Sequence, residues 1–150
     1  MTGFDQIEGK ILQVLAQDGR ISNLALAERV GLSPSACLRR VQELERRGVI
    51  LGYRAIFDRM AMGRGFLAYI GVGLNDHSKQ AQQGFERAIA RIPEVRECHN
   101  TTGTIEYLLR VECADLAAYK VFHTDHLGAL PMVNAITTYV VIDTAKDERA

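Results

Sequence analysis

The first fifty residues place apolar side chains at helical spacing in three separate runs. The apolar members of the first run are Ile7, Ile11, Leu12 and Leu15. Residues three or four positions apart lie on one face of a helix, so this run predicts an amphipathic helix. Asp5 and Glu8 have the spacing of a capping box at its start, and Asp18-Gly19 ends it.

Two further helices are predicted, each with its own start and stop signal. Ser22 is a favourable N-cap for a short helix that ends at Gly31. Ser33-Pro34 starts a third helix, which extends to Gly48. The residues expected to face inward from this helix are Cys37, Leu38, Val41 and Leu44. Two helices joined by a tight turn after a supporting helix predict a three-helix (winged) helix-turn-helix domain.

The second half of the chain changes to a period of two, which is typical of strands with one buried face. The first strand alternates at Phe66, Ala68, Ile70, Val72 and Leu74. In a later strand, one face is expected to carry Ile105, Tyr107, Leu109, Val111 and Cys113, and the other Glu106, Arg110 and Glu112.

Two helical and two further strand patterns complete this half. Helical spacing recurs over 85–92 and 115–130, while 95–102 and 135–143 are β-prone. The order βαββαβ predicts an α+β, ferredoxin-like domain whose two helices lie on one face of an antiparallel sheet. A second copy of the chain is the expected cover for the other face, which makes a homodimer.

Between these halves, residues 49–57 are β-prone and predict a linking strand, while 58–65 show no clear period. We therefore expect a helix-turn-helix domain at 1–50, a linking strand and hinge at 51–64, and a ferredoxin-like domain at 65–150.

Composition narrows the class of protein. The chain has 150 residues, of which 47% are hydrophobic. It has no run near the roughly 20 apolar residues that span a bilayer, and its start does not resemble a signal peptide. Cys37, Cys98 and Cys113 form no C-x-x-C pair, which argues against a disulfide framework or a zinc site. We expect a soluble, cytoplasmic protein with no membrane partner and no cofactor.

The balanced charge hides an asymmetry. The chain has 18 basic and 18 acidic residues, but 1–64 carry 10 Lys/Arg against 7 Asp/Glu, and 65–150 carry 8 against 11. A basic N-terminal module suggests an acidic partner such as double-stranded DNA.

The third helix carries the residues expected to face that DNA. Small side chains at Ser35 and Ala36 let the backbone approach a groove, and the guanidinium groups of Arg39 and Arg40 can reach base edges. Ser33 in the preceding turn belongs to the same surface. Candidates for phosphate contact are Arg20, Ser22, Asn23, Arg46, Arg47 and Arg54.

Several long stretches match a known family. They are residues 17–23, 26–35 and 37–55, then Glu97-Cys98-His99, Thr102-Gly103, Tyr107-Leu108-Leu109, Leu130-Pro131 and Val133-Asn134. These stretches resemble the Lrp/AsnC family of bacterial and archaeal transcription regulators. The resemblance implies a sequence-specific DNA-binding domain, a connecting strand, and a C-terminal domain for effector sensing and oligomerisation. It also implies an amino-acid effector site between dimers, formed by the turn after the second strand and a neighbouring subunit's last strand, often within an octamer.

The implied effector site departs from the family pattern. Relatives usually have two aspartates in the turn where this chain has Gly103-Thr104-Ile105-Glu106-Tyr107, and often threonines where it has Ile136 and Thr138. The tail, 144–150, also lacks the apolar ending common in relatives. An amino acid needs an acceptor for its ammonium and donors for its carboxylate, which Glu106 and the N–H groups of the turn can supply. The implied effector residues are Thr102, Gly103, Thr104, Glu106, Ile136 and Thr138.

Three alternatives to an amino-acid sensor stay open. A small enzyme would need a nucleophile and a base in reach, but Cys98 and His99 are strand neighbours and point to opposite faces. A metal-responsive regulator could use His123 and His126, which are three apart on a predicted helix, although a solvent-facing pair is the simpler interpretation. A pocket that has lost its effector would leave only an assembly surface.

Overall fold

In the computed structural model, which describes residues 3–147, the chain divides between Ala55 and Ile56 into two compact units. Each unit packs around a hydrophobic core of its own. Within residues 3–147, no helix is both long enough and apolar enough to cross a membrane. Residues 148–150 of the tail discussed above lie outside the described residues.

The first unit contains three helices, α1 (Gln6–Gln17), α2 (Asn23–Val30) and α3 (Pro34–Arg46). The capping box is present, because the Asp5 carboxylate accepts the N–H of Glu8 at 2.8 Å and the Glu8 carboxylate accepts the N–H of Asp5 at 3.2 Å. Ser22 and Ser33 cap α2 and α3. Gly31 ends α2 with φ of 74°, a conformation that glycine adopts without strain. The predicted helices and their caps are confirmed.

Leu38 is the exception to the predicted core of this unit. The buried residues are Ile11, Leu26, Ala27, Val30, Cys37 and Leu44. Leu38 was expected to face inward but is 46% exposed. Because it lies about 100° around the helix from Cys37, it falls at the margin of the buried stripe.

The linking strand predicted for 49–57 is wrong for the described chain. Residues 51–57 have no regular secondary structure and are exposed. A strand needs a neighbouring strand for its N–H and C=O groups, and no other segment of residues 3–147 pairs with this one. Val49 and Ile50, in contrast, pack against the core of the first unit.

The second unit has the predicted βαββαβ order. Its elements are β1 (Phe66–Leu74), α4 (Lys79–Ile89), β2 (Val95–Asn100), β3 (Tyr107–Cys113), α5 (Leu116–Val121) and β4 (Val133–Val140). The strands form one antiparallel sheet in the order β2-β3-β1-β4. The ferredoxin-like α+β fold is therefore confirmed. After α5 the chain continues in a π-helical turn, Phe122–Leu127, rather than in the longer helix that was expected.

The core of this unit lies between the sheet and its helices. Phe85 of α4 packs against Tyr107 of β3 with ring centroids 4.6 Å apart, and both are buried. Ile105 was expected on the same face as Tyr107 but lies over Gly71, where an added Cβ would be 3.0 Å from its Cδ1. Gly71 faces away from the core, and Ile105 precedes β3 in the turn, where strand alternation does not apply.

The three cysteines are free thiols. Cys37 and Cys113 are buried and Cys98 is half-buried. Burial is the main cause that raises the pKa of Cys98 and of Cys113 to about 11. Both thiols are therefore protonated at neutral pH and behave as small apolar side chains.

Candidate DNA-binding surface and effector site

The outward face of α3 consists of residues that recur every three or four positions. Opposite the buried stripe lie the exposed residues Ser35, Arg39, Gln42 and Arg46. Arg39 makes no ion pair or hydrogen bond within residues 3–147, so its guanidinium is available to a ligand. Gln42 was not among the predicted DNA contacts, although its spacing from Arg39 places it on the same face. A glutamine carboxamide can form two hydrogen bonds with an adenine edge.

Arg40 lies on the flank of α3, which differs from the outward orientation that was expected. Its guanidinium pairs with the Asp5 carboxylate, and only 34% of the side chain is exposed. Arg47, seven residues further on, pairs with Glu8 at 2.9 Å and lies over the Phe4 ring. Both arginines therefore connect α3 to the capping box of α1. In this structure Arg40 is a positioning residue, because its partner holds it away from the outward face.

The pair between Asp5 and Arg40 predicts an acid-sensitive contribution to stability. Hydrogen bonds from the Glu8 backbone and from Arg40 lower the pKa of Asp5 below its usual 3.8. A carboxyl with a lowered folded-state pKa stabilises the fold fully above its unfolded-state pKa and loses that contribution as the pH falls through the folded-state value.

We expect the urea midpoint of the full chain to fall less in Asp5→Asn than in the wild type between about pH 5 and pH 3. Asparagine is a suitable control residue because it still caps the helix without a titrating carboxyl. Equal losses in the two proteins would contradict the contribution assigned to Asp5.

Three predicted DNA contacts hold the starts of the helices. The hydroxyl groups of Ser22 and Ser33 each accept the backbone N–H three residues further on, at 3.2 and 3.3 Å. The Asn23 side-chain amide donates to the carbonyl of Pro34 at 2.8 Å and connects the start of α2 to that of α3. The Ser22 hydroxyl keeps its own proton, and Asn23 keeps its second amide hydrogen, for a phosphate oxygen. The Ser33 hydroxyl lies 3.4 Å from the Ser35 hydroxyl, and either of the two can donate to the other.

The remaining basic candidates differ in their surroundings. Arg46 forms two hydrogen bonds with Glu43, at 2.6 and 2.8 Å, which raise the pKa of the arginine and lower that of the glutamate. Such an exposed pair is weak, so a phosphate can compete for the guanidinium. Arg20 and Arg54 are exposed, while Ala36 is half-buried beside the outward face.

The Glu106 carboxylate lies at the end of β1 with both of its oxygens engaged. Oε2 accepts the N–H of Leu74 at 2.8 Å, and Oε1 lies 2.9 Å from Nδ1 of His77. Only 18% of the Glu106 side chain is exposed. An added Cβ at Gly73 would lie 2.9 Å from the Asn134 side chain and 3.6 Å from Oε2, so glycine keeps this site open.

The turn before Glu106 presents free backbone donors. Thr102, Gly103 and Thr104 are exposed, and Gly103 has φ of 118°, which favours glycine. Thr101 closes the turn by donating its N–H to the Glu106 carbonyl at 2.8 Å. The N–H groups of residues 102–104 make no hydrogen bond within the described part of the chain, so they can receive an anionic group.

Ile136 and Thr138 lie on the other side of the sheet. They pair with Val72 and Ile70 of β1, whose side chains face the core. The Thr138 hydroxyl is hydrogen-bonded to the Tyr119 hydroxyl of α5. Glu106 lies over Gly73, on the opposite face. A single chain therefore does not bring the two parts of the predicted effector set together.

His123 and His126 lie in the π-helical turn. A π-helix has more residues per turn than an α-helix, so a three-residue spacing places the two rings further apart around the axis. Each ring is near an aromatic side chain, His123 at 5.9 Å from Tyr119 and His126 at 6.5 Å from Phe122. Among residues 3–147, no three potential metal ligands cluster.

The chain is similar to known transcription regulators along most of its length. Residues 67–150 match the family model described as Lrp/AsnC ligand binding domain, and residues 4–50 match that of a winged helix-turn-helix DNA-binding domain. The leucine-responsive regulatory protein of Escherichia coli K12 is 39% identical over 142 residues, which cover 95% of this chain and 87% of that protein.

Two solved structures have a similar fold. A transcriptional regulator from Neisseria meningitidis, in complex with L-methionine, superposes with a TM-score of 0.92 at 35% identity and covers 96% of this chain and 93% of its own. An AsnC family regulator from Agrobacterium tumefaciens superposes with a TM-score of 0.90 at 28% identity, with coverage of 96% and 94%.

Proposed function

Because the chain belongs to the Lrp/AsnC family of transcription regulators, we propose that it couples an amino acid, bound beside Glu106, to DNA binding by the outward face of α3. The family match covers both units, so the protein is a ligand-responsive, DNA-binding regulator and not an enzyme. The proposal concerns the class of ligand and the residues that contact each partner. The observation that carries it is the exposed guanidinium of Arg39, which has no partner within residues 3–147 and lies on the outward face of a capped helix-turn-helix.

In the proposed complex, a homodimer presents its two α3 helices to successive major grooves, about one helical turn of DNA apart. Arg39 and Gln42 contact base edges, with Ser35 allowing a close approach. Phosphates are bound by Arg20, Ser22, Asn23, Ser33, Arg46 and Arg54. Since the partner is DNA, we place the protein in the cytoplasm.

We propose an amino acid as the effector because two similar proteins respond to or bind one. One is the leucine-responsive protein and the other is the Neisseria regulator in complex with L-methionine. Glu106 would accept the ammonium, and the N–H groups of residues 102–104 would donate to the carboxylate. Ile136 and Thr138 of a neighbouring subunit would set the size and polarity of the site. No other cofactor is proposed.

The proposed homodimer covers the face of the sheet that lacks helices. This face carries the buried Leu67 beside an ion pair in which Arg110 and Glu112 are 2.8 Å apart. Both charged side chains are largely removed from solvent, and Glu112 is buried. A second copy would complete this enclosure, and association of dimers into tetramers or octamers would complete the effector site.

The proposed effector class predicts stabilisation by an amino acid. A ligand that binds only the folded state, at 100 times its Kd, adds about 2.7 kcal/mol to the free energy of unfolding. We therefore expect a thermal-shift screen of the twenty amino acids to raise the melting temperature by several degrees for at least one. The same amino acid should change the affinity for operator DNA. If none does either, the amino-acid site is excluded, while DNA binding by α3 stands.

A further inference from the structure

The loop that follows β1 is fixed on both sides of His77. Asn75 donates its N–H and its side-chain amide to the carbonyl groups of residues 131–132, at 2.9 and 3.0 Å. Asp76 accepts the N–H and the hydroxyl of Ser78 at 2.8 and 2.7 Å, and Ser78 caps α4. These hydrogen bonds lower the pKa of Asp76. The anchored loop holds the His77 imidazole beside Glu106, at the end of β1.

There, the imidazole is within hydrogen-bond distance of one oxygen of the Glu106 carboxylate. Its Nδ1 lies 2.9 Å from Oε1, while Oε2 is held by the backbone N–H of Leu74. The His77 side chain is 77% exposed and can move into solvent, whereas the Leu74 N–H is part of the backbone of β1. A ligand can therefore displace the imidazole from Oε1 more easily than the backbone N–H from Oε2.

We propose that His77 is a specificity-determining residue that competes with the effector's ammonium for Glu106. This inference rests on the proposed amino-acid site, since it assigns the same carboxylate oxygen to two cations. A protonated imidazole and an ammonium are both cationic donors, so each satisfies the carboxylate and excludes the other. The effector binds by displacing His77 into solvent, and a ligand without an ammonium gains nothing from doing so.

The competition depends on the charge of the imidazole. Among the ion pairs found within residues 3–147, Glu106 has one basic partner, His77. The turn adds backbone groups and threonines beside Glu106, and β4 adds the Asn134 amide. Asp76 is near His77, with its carboxylate committed to Ser78. Histidines ordinarily change charge between about pH 5 and 8. Because a cationic imidazole holds a carboxylate more strongly than a neutral one, the effector should bind less tightly at the acid end of that range.

The test is calorimetric titration of the full chain with L-methionine at about pH 6 and pH 8, on either side of ordinary histidine titration. Exposed ion pairs have small effects, so we expect about fivefold weaker binding by the wild type at the lower pH. The His77→Ala protein should bind L-methionine more tightly than the wild type does at the lower pH. Its affinities at the two pH values should therefore differ much less. The matched control is His99→Ala, since His99 is also exposed and lies 3.1 Å from a glutamate, Glu97. That variant should keep the wild-type pH dependence.

A second ligand separates competition from a general effect on the fold. 4-(Methylsulfanyl)butanoate has the side chain and carboxylate of methionine without the ammonium, so His77→Ala should not change its affinity. If wild type and His77→Ala bind L-methionine equally at both pH values, the competition is wrong and the amino-acid site stands. If neither protein binds L-methionine or responds to any of the twenty amino acids, the site is excluded and the competition with it.

Discussion

Replacing Arg39 with alanine is expected to weaken binding to the operator by about 1–3 kcal/mol, which is roughly five- to 150-fold. Arg39 is the arginine on the outward face of α3 that has no partner within residues 3–147, so its side chain can bind a base without first breaking an ion pair. The loss should be concentrated at one base pair of each half-site, because a guanidinium that contacts a base edge discriminates among bases.

The measurement is fluorescence anisotropy with labelled operator and scrambled DNA at one fixed salt concentration, because salt changes phosphate contacts strongly. Arg87→Ala on α4 is the matched control, since it removes the same charge from an exposed helical position in the second unit. Its affinity should equal that of the wild type. An Arg39→Ala protein that binds like the control would show that the outward face of α3 does not contact DNA.

Arg40 provides a contrast on the same helix. Because its guanidinium pairs with Asp5, alanine there removes a connection between α1 and α3 rather than a base contact. Arg40→Ala should weaken binding to operator and to scrambled DNA by similar factors, and it should also lower the urea midpoint. A loss confined to the operator would assign Arg40 to base recognition instead.

Replacing Glu106 with glutamine is expected to abolish the response to an amino acid and to leave effector-free binding to the operator unchanged. Glutamine keeps an oxygen for the Leu74 N–H, so the end of β1 retains its hydrogen bond. It removes the negative charge, and an ammonium that is buried without a charged partner costs several kcal/mol, on the order of 2–5.

The amino acid found in the thermal-shift screen is titrated into the labelled protein–operator complex, with wild type and Glu106→Gln in parallel. Glu106→Asp is the second variant, because it keeps the negative charge on a side chain that is one methylene shorter. Its response should lie between those of the other two proteins. If Glu106→Gln responds like the wild type, Glu106 is not the ammonium acceptor.

Local sequence patterns were sufficient to predict the three helices of the first unit and the βαββαβ order of the second. Asp5 with Glu8, Ser22, Gly31 and Ser33 mark helix ends that the structure contains, because caps depend on residues a few positions apart. The alternation of apolar residues in β1 and β3 was sufficient to predict which side chains form the buried face of the sheet. The same residues carry the family resemblance, so fold and general function could be inferred before any coordinates.

The assignment of residues to the site was less complete, for identifiable reasons. Arg40 was expected beside Arg39, but it lies on the flank of α3, where a partner 35 positions earlier in the chain holds it. Gln42 was missed although helical spacing places it on the outward face. Ile105 was assigned by extending strand alternation into a turn, where that rule no longer holds.

The sequence by itself determined the order of the helices and strands, most of the faces they bury and the family they belong to, since these depend on spacing and residue type. Only the tertiary structure decided which charges meet: Arg40 with Asp5, Arg47 with Glu8, and His77 with Glu106. The physical reason is that each of these pairs joins residues about 30 or more positions apart. A hydrogen bond requires a separation of about 3 Å, which only the folded chain sets.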